Sequence, residues 1–169
     1  MNKNIYLIGL MGCGKSSIGA LLAETLGVKF IDLDALIEQQ QGRRVREIFA
    51  EFGEESFRDS ESAALASLPA SDWVIATGGG IVLREANRAR MREGGFVVFI
   101  DRPLERILAD VDVKGRPLLA KGADALLDIH AARLPLYLAS CNLRFTNDFS
   151  SSQEAATALA AELRGKLYP

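Results

Sequence analysis

The sequence predicts an α/β fold in which a five-stranded parallel sheet is flanked by helices on both faces. Short apolar runs typical of buried parallel strands occur at 4–8, 29–31, 73–76, 96–100 and 143–145. Helical periodicity fills the intervals between them, and this alternation favours a parallel sheet covered on both sides. The chain has 169 residues, which is enough for one well-buried core, so we expect a single domain over 1–169.

The predicted helices lie at 15–26, 35–41, 45–52, 54–68, 84–93, 104–110, 124–132 and 153–167. Three glycines are expected to cap helix C-termini: Gly27, Gly42 and Gly53. Pro135 is expected to begin a new helical turn or to bend the helix before it. The serines at 150–152 supply a helix start. The stretch 111–122 has no clear periodicity, and we expect a mobile lid over about 111–123.

The composition excludes several classes of protein. The net charge is −2, from 20 basic and 22 acidic residues, so neither nucleic acid nor an anionic membrane is expected as a partner. No apolar run approaches the length of a membrane span, and the N-terminus leaves no room for a signal peptide. The two cysteines are too few for a disulfide framework and fit no metal-binding spacing. We therefore expect a reduced, cytoplasmic protein, monomeric and without membrane attachment.

The stretch from Gly9 to Ser16 matches the phosphate-binding pattern G-x-x-x-x-G-K-[ST] and stands between a strand and a helix, as that pattern requires. Gly12 and Gly14 allow backbone N–H groups to converge on phosphate oxygens. Lys15 supplies a positive charge, and Ser16 offers a hydroxyl to Mg²⁺. The N-terminus of the following helix adds its own positive field. A nucleotide phosphate is therefore expected at this loop.

Two carboxylates follow the second strand. Asp32 and Asp34 stand two residues apart, and they share a side if the strand continues that far. Ligands of open α/β sheets collect at the carboxyl ends of the strands, so both side chains should face the crevice beside the phosphate loop. One of them can serve the Mg²⁺ hydration shell, and the other can accept a proton from an attacking hydroxyl. Asp34 can alternatively cap the helix predicted to begin at 35, and its position favours neither role.

Three arginines and a glycine triplet complete the candidate site. Arg58 either forms an ordinary i,i+3 pair with Glu61 or presents its fork to a carboxylate or phosphate. Arg116 lies in the predicted lid and can close on the transferring phosphate, while Arg133 can reach back into the crevice. The glycines at 78–80 follow the third strand, where bare backbone favours a ligand over a simple turn.

Taken together, these stretches resemble the shikimate kinase family over the whole chain. The resemblance is carried by the order and spacing of several motifs, since the phosphate loop alone occurs in many unrelated NTPases. The matching stretches are Gly9-Leu10-Met11-Gly12-Cys13-Gly14-Lys15-Ser16-Ser17-Ile18-Gly19, Phe30-Ile31-Asp32-Leu33-Asp34, Ile48-Phe49, Gly53-Glu54-Glu55-Ser56-Phe57-Arg58, Gly78-Gly79-Gly80, Arg116-Pro117-Leu118-Leu119, Arg133 and Pro135-Leu136-Tyr137.

The resemblance implies a three-layer P-loop NTPase fold of the nucleoside monophosphate kinase type, with a substrate-binding helical region at about 34–62. It also implies transfer of the ATP γ-phosphate to the 3-hydroxyl of shikimate, in chorismate and aromatic amino acid biosynthesis. Site residues carried over by position form four groups. The implied catalytic residues are Lys15, Asp34 and Arg116; shikimate is held by Asp34, Arg58, Gly79, Gly80 and Arg133; ATP is held by Gly12, Cys13, Gly14, Lys15, Ser16, Ser17 and Arg116; one Mg²⁺ is held by Ser16 and Asp32.

The sequence departs from this family at the expected adenine end. Ala109 stands where many members carry an arginine that packs on adenine, and the stretch 149–151 lacks a second basic residue. We therefore expect weaker ATP affinity or a looser choice of nucleoside triphosphate.

Another small-molecule kinase, such as a gluconate kinase, is the main alternative function; a degenerate kinase retained for binding is a further one. A GTP-dependent switch is disfavoured, because the D-x-x-G stretch at 112–115 lies in the predicted lid and no N-K-x-D motif occurs.

Overall fold

The computed structural model describes residues 3–110 and 123–167, which form a three-layer α/β domain. Five parallel strands make one sheet in the order β2-β3-β1-β4-β5. Their bounds are β1 Asn4–Ile8, β2 Lys29–Asp32, β3 Trp73–Ala76, β4 Gly95–Asp101 and β5 Leu143–Thr146. The fold class and all five strands are therefore as predicted, with ends shifted by one residue in three of them.

Seven α-helices connect the strands within the described residues. They are α1 Lys15–Leu26, α2 Leu33–Gln41, α3 Val45–Ala66, α4 Glu85–Gly94, α5 Leu104–Asp110, α6 Ala123–Ser140 and α7 Ser152–Leu167. A short 3-10 helix, Ile81–Leu83, precedes α4 and was not predicted from the sequence. None of the helices described here is long and apolar enough to cross a membrane.

The sheet separates two apolar clusters, one on each face. On one face, α1 and α7 pack together and bury Ile18, Leu22 and Leu159 against the strands. On the other face, α2, α3, α4 and α6 cover the sheet through side chains such as Phe57 and Tyr137. Because both faces are covered, the three central strands, β1, β3 and β4, are mostly buried and apolar, whereas the edge strands β2 and β5 also carry exposed residues.

The helix boundaries confirm some predictions and correct others. Gly27 and Gly42 end α1 and α2 in the left-handed conformation, as expected of C-terminal caps. Gly53 has non-helical backbone angles, φ 82° and ψ 174°, so α3 is kinked where two helices were predicted. The predicted end of a helix at 132 is wrong, because α6 continues through Pro135 to Ser140. Tyr137 lies on this extension and is fully buried, so the packing of its ring favours continued helix.

The strand order places four loops at one edge of the sheet. The phosphate loop follows β1 at the centre, the glycine triplet follows β3 on one side, and the segments after β4 and β5 lie on the other. Parallel strands bring all of these carboxyl ends together, which is where ligands of open α/β sheets bind. The predicted lid, at about 111–123, lies outside the described residues except for position 123, where α6 begins. Arg116 lies outside them as well.

Candidate active site

A cleft of about 540 Å³ opens at this edge of the sheet. Residues from the phosphate loop form its floor, and residues that follow β2 and β3 form one end. The opposite end is formed by residues that follow β4 and β5. Its lining includes Gly12, Gly14, Lys15, Ser16, Ser17, Asp32, Asp34 and Gly79, all of which the sequence had proposed for the site.

The phosphate loop ends in a left-handed residue that opens the first helix. Gly14 has φ 101°, and a side chain there would be strained and would contact Ile18 and Asn147. No side chain caps the N-terminus of α1, so its first N–H groups are free to meet an anion. Lys15 and Ser16, the first residues of this helix, line the cleft at that point.

The ammonium group of Lys15 is held by the loop itself. Its Nζ donates to the carbonyl oxygens of Gly9 and Leu10, at 2.8 and 2.9 Å. It also lies 3.6 Å from the Cys13 sulfur, whose side chain is fully buried in the apolar cluster. The burial of Cys13 favours the interpretation that it fills the loop over that of a reactive thiol. Because the lysine is anchored to loop carbonyls, its charge is fixed close to where the loop receives phosphate oxygens.

Two side chains from distant elements fix the carbonyl groups of the loop. Arg102, one residue after β4, donates from Nη1 to the Gly12 carbonyl at 3.0 Å. Asn147, one residue after β5, donates from Nδ2 to the Cys13 carbonyl at 3.0 Å. Both bonds satisfy loop carbonyl groups with side chains that themselves line the cleft. Neither contact was predictable from the sequence, because the partners lie 90 and 134 positions apart.

Asp32, rather than Asp34, caps the helix after β2. The strand ends at Asp32, whose Oδ1 accepts from the N–H groups of Asp34 and Ala35, at 3.0 and 3.2 Å. Its other oxygen, Oδ2, accepts a hydrogen bond from the hydroxyl of Ser16. The condition for Asp32 and Asp34 to share a side by strand geometry is therefore not met, since the chain turns helical at Leu33. Both nevertheless line the cleft, because Asp34 is in the first turn of α2.

The environment of Asp34 suits a group that takes up a proton. Burial raises its pKa to about 6, with Glu61 and Asp32 adding to the rise and Lys15 and Arg58 opposing it. A pKa near 6 leaves the carboxylate ionised at neutral pH yet far more basic than a solvated aspartate. Capping of α2 by Asp32 removes the alternative role for Asp34, and the remaining interpretation is contact with a ligand.

Arg58 forms ion pairs with two glutamates of its own helix. Its Nη1 lies 2.5 Å from Oε2 of Glu61, and its Nη2 lies 2.9 Å from Oε1 of Glu54. Arg58 and Glu61 are both buried, and burial raises the pKa of Glu61 while Arg58 and Arg133 lower it. The i,i+3 pair that the sequence left as an alternative is thus present. It also positions the guanidinium, since two fixed anions hold its plane.

Buried charged side chains from three helices meet at the glycine triplet. A Cβ atom on Gly80 would lie within 2.5 Å of the Arg58 guanidinium atoms. A Cβ atom on Gly78 would lie 2.3 Å from Oε1 of Glu61 and 3.0 Å from Oδ1 of Asp34. At Gly79 it would lie 3.4 Å from Nη1 of Arg133. Absent side chains here let buried charged groups from three helices approach the same stretch of backbone.

Three buried polar atoms at this junction have no hydrogen-bond partner within the described part of the chain. They are one donor, Nη1 of Arg133, and two acceptors, Oδ1 of Asp34 and Oε1 of Glu61. Unpaired buried groups of this kind are costly, so their presence indicates a ligand that supplies both an anion and hydroxyl groups. Tyr137 closes the far side by donating to the Gly79 carbonyl at 2.6 Å.

The structure thus brings most of the predicted site residues into two adjoining groups. The first group consists of the phosphate loop and Asp32. The second consists of Asp34, Arg58, Gly79, Gly80 and Arg133. Of the second group, Asp34 and Gly79 line the cleft, and the other three lie behind its surface. Glu61, which sequence reasoning treated only as a partner of Arg58, contributes an unpaired oxygen to the second group. Its spacing from Arg58 was visible in the sequence, but its burial was not.

Oxygen donors suitable for Mg²⁺ lie beside the phosphate loop. Ser16 and Asp32 are hydrogen-bonded to each other at the cleft, and no cluster of three or more metal-ligating side chains occurs in residues 3–110 and 123–167. Mg²⁺ bound with a nucleotide takes one or two protein oxygens together with phosphate oxygens and water, so this donor set fits it.

Comparison with known proteins gives a consistent result. The family model described as "Shikimate kinase" matches residues 11–164. The chain is 43% identical over 168 residues to shikimate kinase of Symbiobacterium thermophilum, with 95% of this chain and 96% of that protein covered. It is 42% identical over 149 residues to shikimate kinase of Clostridium botulinum strain Alaska E43, with 88% and 90% covered.

A solved structure agrees with the sequence relatives. Shikimate kinase from Acinetobacter baumannii, solved in complex with shikimate, superposes with a TM-score of 0.93 at 33% identity. The alignment covers 99% of this chain and 96% of that one. These matches favour a shikimate kinase over a gluconate kinase, and they identify an ATP-dependent phosphotransferase. The chain therefore belongs to the shikimate kinase family.

Proposed function

We propose that this protein transfers the γ-phosphate of ATP to the 3-hydroxyl of shikimate, and that the residues described above divide the task. The observation that carries the proposal is the junction at the glycine triplet, where an unpaired arginine donor and two unpaired carboxylate oxygens lie buried together. Shikimate is a small carboxylate with three hydroxyl groups, so it offers one partner for the arginine and others for the acidic oxygens. The solved relative with bound shikimate supports this assignment.

Arg58 and Arg133 are proposed to bind the carboxylate of shikimate. Arg58 is held in place by Glu54 and Glu61, which leaves little freedom to lose when the substrate binds. Gly79 and Gly80 provide backbone without side chains, so the ring can lie against it. Phe49 and Phe57 pack together with ring centroids 4.8 Å apart beside Arg58, and they are proposed to wall the apolar side of the ring.

Asp34 is proposed to orient the reacting hydroxyl and to accept its proton. Its raised pKa, about 6, makes this transfer easier than it would be to an exposed aspartate. Asp32 is excluded from the same role because its oxygens accept hydrogen bonds from the start of α2 and from Ser16. The phosphate loop lies next to Asp34 along the cleft, so the hydroxyl and the γ-phosphate can meet in line.

Lys15 and the N–H groups of residues 12–17 are proposed to neutralise charge on the phosphates. Ser16 and Asp32 would hold Mg²⁺, which would neutralise the charge that develops on the phosphates during transfer. Arg116, outside the described residues, is assigned to the transferring phosphate on the sequence alone. Its replacement by alanine is expected to lower turnover more than binding of either substrate.

The test is the substitution Arg133→Lys, which keeps the charge but removes the fork. Loss of one charge-assisted hydrogen bond costs about 1.5–3 kcal/mol, so the KM for shikimate should rise about 10-fold to 150-fold. The KM for ATP should change less than twofold. Arg92→Lys is the matched control, because Arg92 is exposed in the last turn of α4.

Initial rates measured over a grid of both substrate concentrations separate the two KM values. A change in the KM for ATP alone, or no change in either, would contradict the placement of the acceptor at the glycine triplet.

A further inference from the structure

Hydrogen bonds to its three carbonyl groups fix the backbone of the glycine triplet. The carbonyl oxygens of Gly78 and Gly80 accept from backbone N–H groups of the 3-10 helix that follows, at 3.2 and 3.0 Å. The carbonyl of Gly79 instead accepts from the hydroxyl of Tyr137, 58 positions away on α6, at 2.6 Å. The local turn therefore fixes two of the carbonyl groups, and a distant side chain fixes the third.

The peptide between Gly79 and Gly80 has no side chain on either side to hold it, so its plane can rotate at little steric cost. A trans peptide carries its carbonyl and its N–H on opposite sides. Directing the Gly79 carbonyl toward Tyr137 therefore directs the Gly80 N–H the other way. Gly80 is buried, and its N–H donates to no other group within 3–110 and 123–167. A buried N–H in that condition indicates a donor kept for a ligand.

The hydroxyl of Tyr137 is fixed by its surroundings. The side chain is fully buried, and its ring stacks on Phe99 of β4 with centroids 5.0 Å apart. Burial raises the pKa of the hydroxyl, while the charge of Arg133 and a hydrogen bond from Arg133 oppose the rise. The hydroxyl thus remains protonated at neutral pH. It accepts from Arg133 and donates to Gly79, which uses both of its hydrogen-bonding capacities.

Arg133 and Tyr137 reach the triplet together because α6 continues through Pro135. Side chains four positions apart lie on the same face of a helix, so the two residues stand one above the other there. Nη1 of Arg133 has no partner in the described part of the chain and would lie 3.4 Å from a Cβ atom on Gly79. A helix that ended before Pro135 would separate the arginine from the hydroxyl.

We propose that Tyr137 is a positioning residue for the phosphoryl acceptor. Its hydroxyl holds the peptide between Gly79 and Gly80 so that the Gly80 N–H faces the bound acceptor, and it keeps Arg133 beside the same peptide. An N–H fixed beside a guanidinium group is suited to an anionic oxygen. The inference rests on the proposed function in placing the acceptor at the glycine triplet.

The kinetic test is Tyr137→Phe, which removes one oxygen atom and keeps the ring that stacks on Phe99. Loss of this buried hydrogen bond should raise the KM for shikimate about fivefold to thirtyfold. The KM for Mg²⁺-ATP and kcat should each change less than twofold, because the hydroxyl positions a group that holds the acceptor equally before and during transfer. An unchanged KM for shikimate, or an equal rise in both KM values, would overturn the positioning role.

Tyr6→Phe is the matched control for this substitution. Tyr6 is also buried, and its hydroxyl accepts from Nδ2 of Asn4 at 3.5 Å at the start of β1, the opposite end of that strand from the phosphate loop. Urea unfolding of both variants measures what each hydroxyl contributes to stability. Tyr6→Phe should leave both KM values unchanged whatever its stability, so a loss of stability alone does not account for the effect expected of Tyr137→Phe.

NMR relaxation of the Gly80 amide follows the peptide itself, in full-length protein without any acceptor. In the wild type this amide should behave as rigid backbone, with an order parameter of about 0.85. Tyr137→Phe should lower that value or broaden the resonance by exchange, and Tyr6→Phe should do neither. Identical relaxation in the wild type and Tyr137→Phe would overturn the proposal. Wild-type protein that fails to phosphorylate shikimate would contradict the proposed function instead, and the relaxation measurement would still decide the role of Tyr137.

Discussion

Asp34→Asn is expected to make the folded protein more stable at neutral and alkaline pH. In the native state burial raises the pKa of Asp34 from an ordinary value of 3.8 to about 6, so the ionised carboxylate is disfavoured there. At pH values between 3.8 and about 6, Asp34 is more fully protonated in the native state than in the unfolded state. Its contribution to stability is therefore complete below about pH 4 and is lost as the pH rises through 6. An asparagine of the same shape carries no such penalty.

The magnitude follows from the two pKa values. At about 1.36 kcal/mol per pKa unit, the difference between 3.8 and about 6 corresponds to about 3 kcal/mol above pH 7. At pH 4 the native carboxyl is already protonated, and the difference falls below about 1 kcal/mol. The residue proposed as the base thus lowers stability, which is a common trade-off at active sites.

Urea unfolding at pH 4, 6 and 8 measures the effect, with both proteins free of nucleotide. The free energy of unfolding of Asp34→Asn should exceed that of the wild type by up to about 3 kcal/mol at pH 8, and the excess should shrink steadily toward pH 4. Asp128→Asn, an exposed carboxylate on α6, is the matched control and should show no such dependence. An Asp34→Asn protein that is equally stable or less stable at pH 8 would refute a destabilised buried carboxylate.

The remaining predictions concern the same junction. The kcat/KM for shikimate should rise with pH through about 6, because only ionised Asp34 accepts a proton; a flat profile from pH 5 to 8 would contradict this. Gly80→Ala should displace the Arg58 guanidinium and raise the KM for shikimate at least tenfold. Gly165→Ala, with open space in α7, is its control: it should raise the free energy of unfolding by about 0.5–1 kcal/mol and leave the kinetics unchanged. Glu61→Ala should cost about 1.5–3 kcal/mol of stability, because buried Arg58 keeps only the exposed Glu54 as a partner; urea unfolding beside Glu154→Ala, at the start of α7, measures it.

The sheet was predictable because its signals are local. Each strand is a short apolar run, and a segment with helical periodicity separates it from the next strand. Because parallel strands are usually connected through a helix, this alternation was enough to predict a sheet between two layers of helices. The errors lie where local and tertiary preferences compete. Pro135 favours a helix end by its missing N–H, but burial of Tyr137 on the following turn favours continuation, and the tertiary term prevails.

The candidate site was predictable to the extent that its residues stand in contiguous motifs. The phosphate loop, Asp34 and the glycine triplet each follow a strand, and sequence position alone put them at one edge of the sheet. The cap that the sequence offered as an alternative role for Asp34 belongs to Asp32, because which of two nearby aspartates caps a helix depends on where the strand ends. The contacts of Arg102 and Asn147 with the phosphate loop join residues far apart in sequence, and nothing in either local stretch indicated them.

The acceptor itself tests the central claim most directly. Purified full-length protein should be supplied with Mg²⁺-ATP and, separately, with shikimate, quinate, gluconate and nucleoside monophosphates, and ADP release should be followed with a coupled assay. We predict saturable ADP release with shikimate, at a kcat/KM at least a hundred times that of every other acceptor. Phosphorus NMR of the product should find the phosphate on the 3-hydroxyl. Faster turnover of gluconate or of a nucleoside monophosphate, or phosphate on another hydroxyl of shikimate, would contradict the proposed site.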